Sequence, residues 1–218
     1  MYDKAKFIGK YEDVSAIVYP GGAGVKKQLT VGQYRAMDLF FFALMMAVSE
    51  SVIVLAATRW FPNEPYTVSV VAAVVAIVMI RWGPWAAVHA VVGGAVFCLV
   101  SGAAPRQYLI YCGGNLLALL ALFYVKKRGD EAIRRDSFKT VAYGLMTLLL
   151  MELGRGLMSL VFGASVSTAA GFLTTDIISW LFTALILWIA RRLDGIMEDQ
   201  KQYLHRVAQE REEEKGGF

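Results

Sequence analysis

The stretch from Ser137 to Phe162, SFKTVAYGLMTLLLMELGRGLMSLVF, is apolar enough to span a bilayer, yet it contains Glu152 and Arg155. A charged side chain in hydrocarbon costs about 2.5–3.5 kcal/mol on insertion scales, so the fold must accommodate both charges. Residues three apart share a helix face, and the glycines on either side of Arg155 leave room beside it. Two interpretations remain open: an internal ion pair that holds helices together, or part of a ligand site.

The composition predicts a polytopic membrane protein. Of the 218 residues, 57% are hydrophobic and 18% are charged, whereas a soluble domain usually has about a quarter charged residues. The first apolar run begins near Leu39 behind a polar, basic segment, so we expect no cleaved signal peptide. Cys98 and Cys112 lie in apolar runs, which predicts reduced thiols, and no metal-ligand spacing occurs. We attribute the net charge of +4 to loops at an anionic membrane and not to nucleic-acid binding.

Six apolar segments define the expected architecture. At 1.5 Å per residue, most of them can cross a hydrocarbon core about 30 Å thick. We predict an all-α bundle of six transmembrane helices over residues 38–190, between an N-terminal arm (1–37) and a C-terminal helical tail (191–218). The segments are 38–58, 67–82, 84–102, 106–125, 139–163 and 171–190.

The distribution of Lys and Arg predicts the orientation. If the N-terminus is cytoplasmic, 19 of the 22 basic residues fall on the cytoplasmic side. Only Arg59 and Arg106 are then external, and Arg155 lies within a span. Cytoplasmic loops of membrane proteins carry the excess of Lys and Arg, so both termini should be cytoplasmic and the protein should reside in the cell membrane, in contact with its lipids.

With this orientation, the polar side chains within the spans lie mostly in the outer half. Tyr108, Tyr111 and Asn115 share a predicted helix face at spacings of three and four. A polar cluster above an apolar inner half suits the capture of a small polar molecule better than a channel, which needs a suitable lining throughout. The predicted ligand-binding residues are Glu50, Tyr108, Tyr111, Asn115, Glu152, Arg155, Asp176 and Trp180.

The chemistry of this cluster restricts the ligand only broadly. The Arg155 guanidinium can pair with one carboxylate or bind a ligand acceptor, and the remaining acids can accept from ligand donors. The aromatic side chains Tyr108, Tyr111 and Trp180 could stack on a planar ring or serve in ordinary packing. A nucleobase-like compound, a cationic or zwitterionic vitamin and an amino-acid derivative all fit, whereas a strongly anionic ligand does not.

The first span has a stripe of small residues, Ala43, Ala47 and Ser51, where another helix can approach closely. With its six spans in about 200 residues, cytoplasmic termini, the Ala43-Leu44-Met45-Met46-Ala47 pattern and the basic turn Arg81-Trp82-Gly83-Pro84-Trp85, the chain resembles the S components of energy-coupling factor transporters. These are the membrane-embedded substrate-binding subunits, and the similarity covers about residues 30–192.

The resemblance implies a function and a set of partners. Such a subunit captures a vitamin-like micronutrient, contacts a transmembrane scaffold subunit through Ala43 and Ala47, and depends on two ATPase subunits. It topples within the membrane to release its ligand inside the cell. The sequence has no G-x-x-x-x-G-K-[ST] phosphate loop, as expected for a subunit without its own ATPase activity or cofactor.

Other functions remain open. In a structural or assembly subunit of an envelope complex, the same charges would only hold helices together. In an integral-membrane enzyme, Glu152 and Asp176 could form an acid pair, but the sequence has neither a nucleophile motif nor H-E-x-x-H. We therefore expect a protein that is not an enzyme. A stand-alone transporter is disfavoured because inverted repeats with broken helices are not apparent.

Overall fold

The computed structural model describes residues 30–63 and 67–216, and these ranges are helical without a β-strand, which confirms the all-α class. Of the predicted N-terminal arm, residues 1–29 lie outside the described residues, and helix α1 begins at Val31. The helices are α1 (Val31–Trp60), α2 (Val71–Trp82), α3 (Ala86–Val100), α4 (Pro105–Tyr108), α5 (Leu122–Arg128), α6 (Asp130–Arg135), α7 (Ser137–Val161), α8 (Val166–Thr175), α9 (Ile177–Ala190) and α10 (Gln200–Gly216).

Several helical segments are long and apolar enough to cross a membrane. They are Val31–Trp60, Val71–Val100, Pro105–Arg128 and Ser137–Val161. A fifth results if α8 and α9, which are bent by 41° at their junction, count as one broken span. The described residues thus contain four or five candidate spans, in keeping with a membrane protein. The number differs from six partly because α2 and α3 follow each other with only a 3₁₀ turn between them and count as the single stretch Val71–Val100.

The Val71–Val100 stretch reverses its direction at the 3₁₀ turn Gly83–Trp85. The Val71 side chain occupies the space where a Cβ on Gly93 would lie, although these residues would be about 33 Å apart in one straight helix. Gly83 has φ of 59°, a conformation that glycine adopts without steric cost. Helices α2 and α3 are therefore an antiparallel hairpin.

The core of the bundle is built around α2 and α7. Every residue of α2 except Val74 is buried. Helix α7 lies beside it, and the fully buried Tyr143 hydroxyl donates to the Ala76 carbonyl at 2.9 Å. Helix α7 also packs against the helical turns between α4 and α5, against α8 and against α9. The stretch that carries Glu152 and Arg155 is thus surrounded by neighbouring helices.

Glycines allow the backbones to meet closely in this core. Gly154 on α7 faces Gly114, whose carbonyl occupies the space where a Gly154 Cβ would lie. On α3, a Cβ at Gly94 would lie 2.9 Å from the backbone nitrogen of Cys112. Small residues at such contacts are typical of helix packing in membranes, where close approach supplies the attraction.

Helix α7 begins at a well-defined cap. The Asp136 carboxylate accepts from the backbone N–H groups of Phe138 and Lys139 at 2.9 and 3.3 Å. The hydrogen bond from the Lys139 side chain, 3.1 Å away, holds the pKa of the Asp136 carboxyl below its usual range. These contacts fix the helix start just beyond the basic segment.

The chain turns sharply after α9, so the predicted helical tail is interrupted before α10. The buried Arg81 guanidinium donates to the carbonyl oxygens of Gly195 and Ile196 in this turn. Arg134 pairs with Glu198 at 3.4 Å from the other side. Long-range contacts of this kind hold the backbone in turns where sequence periodicity alone favours a helix.

Contacts divide the chain into two compact units. Of the described residues, one unit comprises 30–40 together with 200–216, and the other comprises those of Phe41–Asp199. Within the first unit, the Tyr34 hydroxyl donates to the Gln200 side chain at 3.3 Å. The candidate site described below lies entirely in the second unit.

Candidate functional site

Arg155 is the centre of a buried polar network. Its Nε donates to the Asn115 side-chain oxygen at 2.8 Å, and its Nη1 donates to Asp176 Oδ2 at 3.0 Å. The guanidinium carbon also lies 4.9 Å from the centre of the Tyr111 ring, over its face. One arginine on α7 thus links side chains from two other helical segments, Pro105–Arg128 and the α8–α9 pair.

Asp176 sits at the junction where α8 ends and α9 begins. Its Oδ1 accepts from the Thr67 hydroxyl and, at 3.4 Å, from the Ser179 hydroxyl. The Thr67 backbone N–H donates to the Thr175 carbonyl at 3.0 Å. Because the bend leaves this carbonyl without its usual helical partner, the residues before α2 complete the hydrogen bonding of the break.

Asn115 positions the arginine. It is fully buried, and its amide nitrogen donates to the Ala90 carbonyl on α3 at 2.9 Å. A side-chain amide has a donor end and an acceptor end, so this contact directs the oxygen toward Arg155. Asn115 therefore contributes orientation to the network.

Glu152 is not the ion-pair partner of Arg155, although the two are three residues apart on α7. The Trp180 indole N–H donates to Glu152 Oε1 at 2.8 Å. The buried Oε2 has no hydrogen-bond partner among the described residues. An internal ion pair is present, but it joins Arg155 to Asp176 and not to Glu152 as considered from the sequence.

Glu50 on α1 reaches the start of α2. Its Oε2 accepts from the Val70 N–H at 3.0 Å, and the Ser69 side chain lies nearby. A carboxylate at this position satisfies one of the free N–H groups of a helix N-terminus and interacts favourably with the helix dipole. The fully buried Oε1 has no hydrogen-bond partner within the part of the chain that the structure describes.

A cavity of about 340 Å³ lies against this network. It is bounded by Arg155 and Asp176, by aromatic rings and by small hydroxyl side chains. Its volume is within the range of small-molecule sites, which runs from about 300 to 1,000 Å³. The lining residues are Thr67, Ser69, Phe97, Tyr111, Arg155, Thr168, Gly171, Phe172, Thr175 and Asp176.

Gly171 keeps part of this cavity open. Apart from its chain neighbours and the local helix backbone, a Cβ at this position of α8 would have no atom of the described residues within 4 Å. Glycine in a helix interior costs about 0.5–1 kcal/mol relative to alanine, and here no helix contact requires it. The space beside Gly171 is therefore the part of the cavity where a bound molecule would fit without displacing protein atoms.

The Tyr111 ring is not available to stack on a ligand, which is one of the two roles considered from the sequence. The Tyr111 ring is stacked on Phe97 at 4.6 Å and meets the edge of Phe172 at 5.8 Å. With Arg155 also over the ring, its faces are already engaged, so stacking on Tyr111 is not open to a ligand. Phe97 and Phe172, which the sequence analysis did not select, also line the cavity.

Tyr108 stays apart from the cluster. It is half-buried, and in the described residues no hydrogen bond or ring contact joins it to Arg155 or Asp176. A π-helical turn over Leu109–Gly113 separates it from Asn115. A π-turn holds more residues than an α-turn, so the spacings of three and four no longer define one face.

The predicted partner-contact residues lie on one side of α1. Ala43, Ala47 and Ser51 are half-buried, next to the buried face of Met46, Glu50 and Val54. Of the eight predicted site residues, the structure joins Tyr111, Asn115, Arg155 and Asp176 in one network. It pairs Glu152 with Trp180 and places Glu50 within electrostatic range of Arg155 and Asp176, while Tyr108 stays apart. The residues that sequence reasoning missed are Thr67, Ser69, Phe97, Thr168, Gly171, Phe172 and Thr175.

Within the described ranges, no group of three or more His, Cys, Asp and Glu side chains could hold a metal ion. Cys98 and Cys112 are free thiols there. Comparison with models of known protein families, with curated proteins and with solved structures identified no match.

Proposed function

We propose that this protein captures a small polar molecule at the membrane, as the substrate-binding S component of an energy-coupling factor type uptake transporter for a vitamin-like micronutrient. The observation that carries the proposal is the cavity of about 340 Å³ beside Arg155 and Asp176. It combines charge, hydroxyl groups and aromatic surface in a partly enclosed volume, as small-molecule sites do.

The position of the cavity supports capture from outside the cell. The cavity lies where α2 begins, α3 ends and α7 ends, whereas the basic residues of α5 and α6 lie at the other end of α7. Basic segments favour the cytoplasmic side, so the cavity faces outward. In the proposed topology both termini are cytoplasmic, and the α2–α3 hairpin and the broken span α8–α9 bring the number of membrane crossings to six.

The broken span is a second supporting feature. Transporters place substrates at discontinuous helices, whose free backbone groups and side chains line the site. Asp176 and Thr175 stand at such a break, and both line the cavity. The proposed partners are a transmembrane scaffold subunit, contacted through Ala43 and Ala47, and two ATPase subunits that supply energy.

Native mass spectrometry of the protein extracted gently from its own membrane tests the proposal. We expect a retained small molecule together with scaffold and ATPase subunits. Gly171→Leu should abolish retention because the added side chain fills the cavity. Ala170→Leu is the matched control, since Ala170 is an exposed neighbour on α8 that does not line the cavity. An empty wild-type protein would refute the capture function.

The contact with the scaffold is tested separately. Ala47→Trp should prevent co-purification of the scaffold subunit while the small molecule is still retained. Met45→Trp is the control, because Met45 is 65% exposed and lies outside the small-residue stripe. Equal co-purification of the scaffold with both variants would show that the stripe is not the contact.

A role as an assembly subunit of an envelope complex is the second candidate. It is favoured by the fact that Arg155 already has protein partners in Asn115 and Asp176, so the network can act as helix glue alone. In that case Gly171→Leu would leave every co-purifying partner unchanged, and no small molecule would be found.

A further inference from the structure

We propose that the cavity beside Arg155 takes a ligand with a positively charged nitrogen, either a protonated amine or a quaternary ammonium. This inference names the ligand class of the capture site and therefore rests on the proposed function. It follows from the balance of buried charges around the cavity, from the way in which Arg155 is already used, and from the groups that line the open space.

The buried acids outnumber the buried bases around the cavity. Glu50 and Glu152 are fully buried, and Asp176 is 3% exposed. Both glutamates lie within electrostatic range of Arg155 and Asp176, so the four side chains form one charge cluster. Three carboxyls therefore surround a single guanidinium.

The single positive charge is already committed. Arg155 Nη1 lies 3.0 Å from Asp176 Oδ2, which makes these two an ion pair. No Lys, Arg or His of the described residues lies within ion-pair distance of Glu50 or Glu152. Each of the two glutamates also has one buried oxygen without a hydrogen-bond donor there.

A carboxylate without a partner is costly in such surroundings. Removal of an ion from water into a protein interior costs several kcal/mol unless an opposite charge lies close to it. The cluster can be balanced by protons or by a cation that enters from outside. The cavity borders the cluster through Arg155 and Asp176, so a cation bound there would reduce the excess negative charge.

The cavity lining also suits a cation. Phe97 and Phe172 contribute aromatic surface, and aromatic rings attract cations. The hydroxyl oxygens of Thr67, Thr168 and Thr175 can accept hydrogen bonds from an ammonium group. Arg155 already lies over Tyr111, which is an example of this attraction within the site.

Thiol labelling with charged reagents tests the inference without knowledge of the ligand. The full-length variant Gly171→Cys is treated with trimethylammonioethyl methanethiosulfonate, a cation, or with sulfonatoethyl methanethiosulfonate, an anion. Ser167→Cys is the exposed control on the same helix, and the parent protein gives the background from Cys98 and Cys112. Thr168→Cys, at an exposed lining residue, serves as a second reporter if Gly171→Cys does not fold.

The expected result is a ratio of cationic to anionic labelling rates at least about tenfold higher at the cavity position than at the Ser167 control. An uncompensated negative charge, at an effective dielectric constant of about 20, attracts the cationic reagent and repels the anionic one strongly enough to produce a ratio of this size. Adding Glu50→Gln or Glu152→Gln should lower the ratio, because each removes one negative charge and keeps the shape of the side chain.

Two results would overturn the inference. A ratio equal to that of the control would mean that protons balance the glutamates, and a preference for the anionic reagent would mean that Arg155 dominates the cavity. Neither result affects the capture function, which depends on the small molecule retained in native mass spectrometry. Conversely, an empty protein would refute capture while the labelling ratio would still report the charge of the cavity.

Discussion

Two glycines on neighbouring helices, Gly154 and Gly171, serve opposite purposes. Gly154 lies in a seam where α7 touches the backbone at Gly114, so any side chain there would meet another chain segment. Gly171 borders the cavity and has open space where a Cβ would lie. The comparison shows that a helical glycine can allow close backbone contact, as at Gly154, or leave open space, as at Gly171. Only the tertiary surroundings of the residue distinguish the two cases.

The largest effect is expected at the seam. Gly154→Ala should destabilise the protein by about 3 kcal/mol, because a Cβ would overlap the Gly114 carbonyl and backbone atoms cannot move aside cheaply. The measurement is reversible unfolding in detergent micelles. Overpacking of a core usually costs about 1–3 kcal/mol, so a loss of stability of less than about 1 kcal/mol would contradict the close contact.

A smaller loss of stability is expected when Gly156, on the other side of Arg155, is replaced by alanine. A Cβ there would lie 3.1 Å from the Ala169 carbonyl oxygen, so α8 must shift slightly. Gly156→Ala should cost about 1–2 kcal/mol, toward the lower part of the range for overpacked cores. The same unfolding experiment measures it, and a cost equal to that of Gly154→Ala would show that α8 is held as rigidly as the seam.

The loss should be smaller again at Gly144. Its Cβ would meet the end of the Leu187 side chain, which can adopt another rotamer. Gly144→Ala should therefore cost about 1 kcal/mol, most of it the rotamer change of Leu187. The double variant Gly144→Ala/Leu187→Ala should not show the steric part of this cost. A double variant with fully additive losses would indicate that Leu187 is not responsible.

At the cavity, the replacement of glycine by alanine should increase the stability of the protein instead of lowering it. Gly171→Ala should stabilise the ligand-free protein by about 0.5–1 kcal/mol, because alanine is the better helix former and meets no other atom. Unfolding of ligand-free protein in detergent checks this. A destabilised Gly171→Ala variant would mean that the open space is smaller than the structure indicates, which would remove the contrast with Gly154.

The sequence was informative about which side chains are buried and polar, but not about how they pair. Glu152 and Arg155 share a helix, yet two residues three apart can face different neighbours in a crowded bundle. The ion-pair partner of Arg155 is Asp176, which lies 21 residues further along the chain, outside α7. A separation of this length does not indicate that two residues are in contact. Pairing across helices depends on tertiary packing, which local spacing does not encode.

Helix α8 was predicted only in part, because the sixth predicted segment begins at Gly171 and α8 begins at Val166. The residues before Gly171, FGASVSTAA, include the small and hydroxyl residues typical of a loop. One signal was present: Ser165 accepts from the Thr168 N–H at 3.2 Å, which is an N-cap. The break at Asp176 has neither proline nor glycine, so the usual marks of an interrupted helix were lacking.

The reversal between α2 and α3 shows the opposite balance. Hydropathy separated the segments 67–82 and 84–102 because of the Arg81–Trp85 turn, and the structure has a reversal at that point. The all-α class follows equally from composition. Both features are encoded locally, in apolar runs and in a Gly-Pro turn, and they could be predicted without knowledge of the tertiary contacts.

Because of the π-helical turn at Leu109–Gly113, the number of residues in this segment determines which side chains face Asn115. Deletion of one residue within it would allow a regular α-helix and would rotate everything before it by about 100° relative to Asn115. Tyr108 would then swing toward a different face, while Arg155 and Asn115 kept their places. Insertions and deletions, and not only substitutions, are therefore a route by which this segment could acquire a different set of aromatic neighbours.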